Sequence, residues 1–90
     1  MRLEFDPAKN ATNQRKHRIA LDRFADMDFD LALSARDDAH STETEERWLF
    51  LGPIDGRLMV GIVTYRVDAT RVISLRRANR REQRKYGEAQ

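Results

Sequence analysis

The run Glu46-Arg47-Trp48-Leu49-Phe50-Leu51-Gly52, the tetrad Pro53-Ile54-Asp55-Gly56 and the run Arg57-Leu58-Met59-Val60-Gly61-Ile62-Val63-Thr64-Tyr65-Arg66 decide the fold of this 90-residue chain. Both runs are rich in β-forming residues, and the Asp-Gly pair between them is favoured in hairpin turns. They read as two antiparallel strands, Glu46–Gly52 and Arg57–Arg66, joined at residues 53–56. Downstream, residues 67–70 are a connection and Arg71–Leu75 is a short β-branched strand. Upstream, Leu31–Ala35 reads as another strand, separated from the hairpin by the polar loop Arg36–Thr44 with His40 in it. The prediction is a four-stranded meander.

The flanks carry helical signals. Leu3-Glu4-Phe5 is compatible with a short edge strand. Asp6-Pro7 is a good helix start, because the carboxylate caps free amides and proline is tolerated at the first helical position. The helix is expected over Pro7–His17, with Arg15, Lys16, His17 and Arg18 complementing its C-terminal dipole. A second short helix is expected over Leu21–Met27, followed by the Asp-rich loop at residues 26–30. The last segment, Arg77–Tyr86, is helical in composition, with Gly87 as its stop. Helices followed by strands favour an α+β architecture, helices packed on a four-stranded antiparallel sheet with a C-terminal helix.

At this length one domain, residues 1–90, is expected. The longest apolar runs fall short of the roughly 20 residues of a membrane span, and the N-terminus shows no apolar signal segment. A cytoplasmic protein without membrane association is therefore expected. The absence of cysteine excludes disulfides, thiolate zinc sites and a cysteine nucleophile. The net charge of +2 hides a segregation: residues 1–21 carry +3, residues 22–46 carry −7 and residues 66–90 carry +5. Basic ends suit a polyphosphate ligand or an acidic protein.

Three groupings could carry chemistry. On the first helix, Lys9, Asn13, Lys16 and His17 share a face. At the C-terminal end, Arg76, Arg77, Arg80, Arg81, Arg84 and Lys85 gather guanidinium groups whose planar forks match phosphate. As helix residues, Arg77 with Arg81 and Arg80 with Arg84 repel unless an anion lies between them. On the strand before it, alternation sends Ile73 and Leu75 to one face and Val72, Ser74 and Arg76 to the other. At the start of the hairpin, Glu45 and Arg47 point one way and Glu46 and Trp48 the other. His17 and His40 lack metal-ligand spacing, so neither a metal nor another cofactor is expected. No serine stands in a nucleophile-elbow context.

Taken in order, these residues resemble the BrnT family of type II toxins. The likeness runs through Phe5-Asp6, Lys9, Asn13, Lys16-His17, Phe24-Ala25, His40, Glu46-Arg47, Gly52, Val63-Thr64 and Arg66. It closes on Ile73-Ser74, Arg76-Arg77-Ala78, Arg80, Glu82, Arg84 and Tyr86. There are two departures. Arg18 stands where the family has glycine, so the first helix is expected to end differently, and Leu75 stands where the family has a smaller residue. The resemblance implies a RelE/ParE-like fold and a metal-independent endoribonuclease that inhibits translation. It implies neutralisation by a BrnA-type antitoxin with a ribbon-helix-helix domain, two toxins assembling with two antitoxins. Operator DNA is then reached only through the antitoxin, the complex repressing its own operon.

Cleavage by attack of a ribose 2′-hydroxyl on the adjacent phosphorus needs a base, cations for the phosphoryl oxygens and an acid. His17 and Glu46 are the expected bases, Arg76 the transition-state stabiliser, and Arg80 and Lys16 its helpers. Lys9, Asn13, Arg47, Arg77, Arg84 and Tyr86 are expected to contact RNA, Tyr86 either stacking on a base or closing the core. His17, Glu46 and Arg76 are thus expected to converge on one concavity. A non-catalytic module binding RNA or antitoxin, and a gyrase poison of the ParE kind, are the alternatives. The acidic residues 22–46 are expected to steer the antitoxin's approach in a salt-dependent way.

Overall fold

The computed structural model describes residues 2–90. Along the chain run β1 (Leu3–Glu4), α1 (Pro7–His17), a 3₁₀ turn (Leu21–Asp26), β2 (Leu33–Arg36), β3 (Arg47–Ile54), β4 (Arg57–Tyr65), β5 (Thr70–Arg77) and α2 (Arg80–Glu88). The hairpin is the centre of the sheet. β3 and β4 pair in unbroken antiparallel register from Arg47 opposite Thr64 to Ile54 opposite Arg57. Asp55 and Gly56 turn the chain at φ 50° and 76°, the left-handed pair that a two-residue hairpin loop requires.

The sheet has five strands in the order β1-β5-β4-β3-β2. The meander of four antiparallel strands is present as β2 to β5. Beyond it, β1 pairs with β5 in parallel, making the sheet mixed rather than purely antiparallel. β1 has only two residues because Asp6 and Pro7 start α1 immediately after it. Asp6 accepts the Ala8 N–H at 2.9 Å. The other edge of β5, past β1, is therefore left to another partner.

Several expected boundaries shift. β3 continues through Pro53 to Ile54 instead of ending at Gly52. The N–H and C=O of a strand residue point the same way, and the Pro53 carbonyl accepts from Asp28 N–H at 2.9 Å on the side away from β4. The missing proline donor thus falls outside the ladder. β2 begins two residues late, because Leu31 and Ala32 bond back to Asp28 and Phe29 in a turn. The segment after residue 20 is a 3₁₀ turn rather than an α-helix. α2 starts at Arg80 rather than Arg77 and continues through Gly87 to Glu88. Asn79 is its cap, with a reciprocal capping box to Glu82 at 2.8 and 2.9 Å. Arg77 consequently belongs to β5, and the expected helical repulsion between Arg77 and Arg81 does not arise.

α1 ends without the family's glycine. Arg18 itself takes the left-handed conformation, φ 57° and ψ 32°, and donates its N–H to Gln14 at 2.9 Å. The different ending expected from this departure is not found. A side chain in that region costs roughly 1 kcal/mol.

A bulge re-aims β5. Ile62 faces Ser74 and Val63 faces Val72, so Ile73 is the extra residue. Val72 and Leu75 are both buried in the core, while Ile73, Ser74 and Arg76 border the other side. This corrects the expectation that Ile73 shares a face with Leu75. One face of the sheet carries Phe24, Leu21 and Met27 from the 3₁₀ turn and its exit, packed on Met59, Val63, Val72 and Leu75. Gly61 lies opposite Leu75 and under the Phe24 ring, where a Cβ would come within 2.6 Å of ring carbons. The Phe24 ring fills that space, and Leu75 Cδ1 stands at ordinary contact distance beside it. The other face carries a smaller cluster, Leu51, Val60 and Ala78, closed by Tyr86 of α2. No helix among the described residues is long and apolar enough to cross a membrane.

Candidate active site

α2 covers only part of its face of the sheet, and beside it a concavity of about 300 Å³ is lined by Asp37, His40, Arg47, Ser74 and Arg76 over Leu49, Ile62 and Ile73. That volume is at the lower end for a small-molecule site. The loop after β2 is what brings His40 there. Asp37 N–H donates to the Arg47 carbonyl at 2.8 Å, and Ser41 Oγ donates to the Asp37 carbonyl at 2.7 Å while accepting the Arg47 N–H at 2.9 Å. The loop is thereby stitched to the first residue of β3. Asp37 Oδ2 lies 2.9 Å from His40 Nδ1. The Asp37 side chain is 14% exposed and that of His40 69%, so a nearly buried carboxylate orients an accessible ring. With a proton on Nδ1 pointing at Asp37, Nε2 carries the lone pair.

Arg47 extends across the same face, its Nε donating to Glu45 Oε1 at 2.8 Å. This hydrogen bond holds the Glu45 carboxyl below the usual carboxylate range; partial burial opposes it, and the charges of Arg47, Arg66 and Lys9 add to the lowering. Arg76 is held from behind. Its Nη1 and Nη2 donate to Glu82 at 2.8 and 2.9 Å, and Nη1 also reaches the Arg77 carbonyl at 3.2 Å. The pair raises the Arg76 pKa and lowers that of Glu82, through that hydrogen bonding first, against desolvation. The end-on fork of Arg76 is thus occupied, leaving its Nε–Nη2 edge for another anion.

Ile73 and Ser74 are also lining residues of a neighbouring concavity of about 320 Å³, whose far wall is α1 with Lys9, Thr12 and Lys16. The two hollows share one rim. Lys9 and Lys16, exposed on α1, therefore flank the same ridge as Arg47 and Arg76. Asn13 lies on this helix face but turns inward. It is 6% exposed; its Nδ2 donates to the Leu75 carbonyl at 2.8 Å and the Ile19 carbonyl at 2.9 Å, and its Oδ1 accepts the Leu75 N–H at 3.2 Å. The side-chain amide stands in for the strand that β1 is too short to provide. All its polar atoms are spent inside the fold rather than turned to an RNA.

The expected convergence of His17, Glu46 and Arg76 is not found. His17 lies with Arg18, Arg57 and Arg77 at the hairpin end of the opposite face, beside Met59 and Ile54 of the main core. Arg77 and Arg76 are successive strand residues and so part to opposite faces. Glu46 follows Trp48 to the main-core side, accepting from Trp48 Nε1 at 2.9 Å and lying 3.4 Å from Arg36 Nε. Arg80 and Arg84 are exposed on α2 around Gln83, outside the His40 concavity. Tyr86 packs into the smaller core cluster and donates its hydroxyl to the Leu31 carbonyl at 2.7 Å, pinning α2 to the approach to β2. Of its two expected roles this contact serves the closing of the core.

His40, Asp37, Glu45 and Ser74 are the lining or supporting groups that received no role from the sequence. Two signals were present. Asp37 and His40 are three apart in a short polar loop, the spacing of a turn-held pair, and strand alternation alone puts Glu45, not Glu46, with Arg47. No group of three or more His, Asp or Glu among the described residues could hold a metal.

The sequence model of one family, described as the ribonuclease toxin BrnT of a type II toxin–antitoxin system, matches residues 5–82. No curated protein matches the chain.

Proposed function

The chain belongs to the BrnT family of ribonuclease toxins of type II toxin–antitoxin systems, and from that premise we propose that it cuts RNA at the His40–Arg47–Arg76 concavity. Membership implies a ribonuclease toxin with an antitoxin partner. The single observation that carries the location is an accessible imidazole, oriented by Asp37, opposite two guanidinium groups in one hollow.

In the proposed reaction His40 Nε2 takes the proton of a ribose 2′-hydroxyl, and the oxygen attacks the adjacent phosphorus. Arg47 and the Nε–Nη2 edge of Arg76 receive the charge that gathers on the phosphoryl oxygens. Lys16, across the shared rim, is the acid for the leaving 5′ oxygen, and Lys9 holds the neighbouring phosphate. The products are a 2′,3′-cyclic phosphate and a 5′-hydroxyl. Arg80 and Arg84 extend the cationic track along α2. The partner is a BrnA-type ribbon-helix-helix antitoxin, two with two toxins, that covers this face and carries the complex to operator DNA. Residues 1–90 act as one RelE/ParE-like domain in the cytoplasm.

The test is incubation of the purified protein with naked RNA and mapping of the ends. Cyclic-phosphate ends that disappear in Arg76→Ala and His40→Ala support the reading, and intact RNA at every pH refutes it. One observation favours a second reading, a non-catalytic RNA-binding module: Glu82 already occupies the Arg76 fork. That reading predicts RNA binding with no cut products.

A further inference from the structure

At the hairpin end of the sheet, on the face opposite His40, a concavity of about 490 Å³ plays no part in the reaction just described. Four arginines, Arg18, Arg23, Arg57 and Arg77, line it with His17, against the one acidic side chain of Asp55. Arg23 is already engaged, bonding Asp26 at 2.7 Å and also Asp55. Arg18, Arg57 and Arg77 form no side-chain ion pair among the described residues, and all three are exposed. They reach this hollow from three elements: the C-terminal end of α1, the first residue of β4 and the last residue of β5. Gathering like charges from separate elements raises the energy of the free protein, and an anion held between them relieves it. Arg18 adds an independent observation. It holds a left-handed conformation, φ 57°, that glycine takes at least cost, and from there its side chain lines the hollow.

We infer that this concavity is a second phosphate site, holding a backbone phosphate of the RNA strand outside the scissile linkage. The inference rests on the ribonuclease reading for the identity of the strand, and on the arginines alone for the anion. Planar forks suit phosphate oxygens, which they bind two at a time. The location suits a strand already engaged at the cutting centre. Arg76 and Arg77 are neighbours that open to opposite faces, so an RNA passing around the end of β5 leaves the first and meets the second.

The test measures binding without cutting. A 12-nucleotide single-stranded RNA methylated at every 2′-oxygen is titrated with wild type, Arg18→Gly, Arg57→Ala and Arg77→Ala across a salt series. Each variant is expected to bind several-fold more weakly and to lower the slope of log affinity against log salt by about 0.7, the value for one phosphate contact on a single strand. Inorganic pyrophosphate is expected to compete with the RNA less well against the variants. Arg18→Gly separates binding from folding, because glycine relieves the backbone: its melting temperature is expected to rise while its affinity falls. Wild-type affinity and slope in all three variants overturn the inference. So does displacement of the RNA by a polyglutamate peptide at lower concentration than pyrophosphate, which marks a dock for an acidic protein. Because this RNA has no free 2′-hydroxyl, failure of the wild type to cut ordinary RNA sinks the ribonuclease reading alone and leaves the binding result standing.

Discussion

Replacing Asn13 by alanine removes two hydrogen bonds that bind α1 to the edge of β5 and a third to the Ile19 carbonyl in the loop after the helix. Leu75 is fully buried, so its N–H and C=O lose their partners without gaining water. An unsatisfied buried backbone group costs about 1–3 kcal/mol, and the half-buried Ile19 carbonyl adds less, so the two Leu75 groups dominate and give roughly 2–6 kcal/mol in all. A domain of 90 residues has a stability of about 5–13 kcal/mol at 0.05–0.15 kcal/mol per residue. With a urea slope of about 1.5 kcal/mol/M, the unfolding midpoint falls by roughly 1.3–4 M. Asn13→Asp sharpens the test. An introduced carboxylate oxygen replaces Nδ2 and faces the two carbonyls, which disfavours its ionised form and raises its pKa in the folded state. Its deficit against wild type is therefore smallest below about pH 4, and grows as pH rises through the unfolded value towards the folded one. Urea titrations of the three proteins at pH 4 and pH 7.5 measure both effects. An Asn13→Ala protein within about 0.5 kcal/mol of wild type refutes the strand-substitute role. One that keeps its stability but loses RNA binding shows that Asn13 reads the ligand after all.

Gly61→Ala drives a Cβ against the Phe24 ring and is expected to destabilise by about 1–3 kcal/mol, read from thermal melts. Glu82 has a lowered folded pKa, chiefly because Arg76 hydrogen-bonds its carboxylate. Its stabilisation is therefore present above the unfolded value and lost as pH falls through the folded one. Glu82→Gln should accordingly lose most against wild type near pH 7 and least below about pH 4 in parallel urea titrations. In cleavage assays, His40→Ala is expected to lower the rate by at least about 100-fold. Glu46→Gln, facing the other way, is expected to lower it by less than about threefold. A reversed order would return the base to the main-core side of the sheet.

The hairpin, the meander and the first helix were legible because each rests on local chemistry: an Asp-Gly turn, β-branched runs, an Asp-Pro start. The shift of α2 to Arg80 was legible too, in Asn79 and Glu82 three apart, although the arginine-rich composition drew the helix back to Arg77. β1 alongside β5 was not, since pairing between residues 67 apart leaves no local trace. The bulge at Ile73 was equally hidden, and it misdirected the reading of that strand's faces. The candidate site was half legible. Arg47 and Arg76 were correctly put on a strand and at a strand end, but His17 drew attention by its place in a dense motif. His40 stood in a loop whose path over β3 is set by Ser41 and Asp37, contacts that only three dimensions display.

Glu82 answers to two masters: its carboxylate caps the first turn of α2 and clasps the back of Arg76. Helix and arginine are therefore thermodynamically linked. An anion strong enough to win both Nη atoms of Arg76 displaces the Glu82 carboxylate, which keeps only the Asn79 N–H, and so cuts the tie that holds the start of the helix to β5. Reciprocity then requires that whatever steadies α2 weakens the hold on that anion by the same factor. A ligand gripping the outer turns of this short helix, far from any phosphate, would thus tune the cationic hollow without entering it.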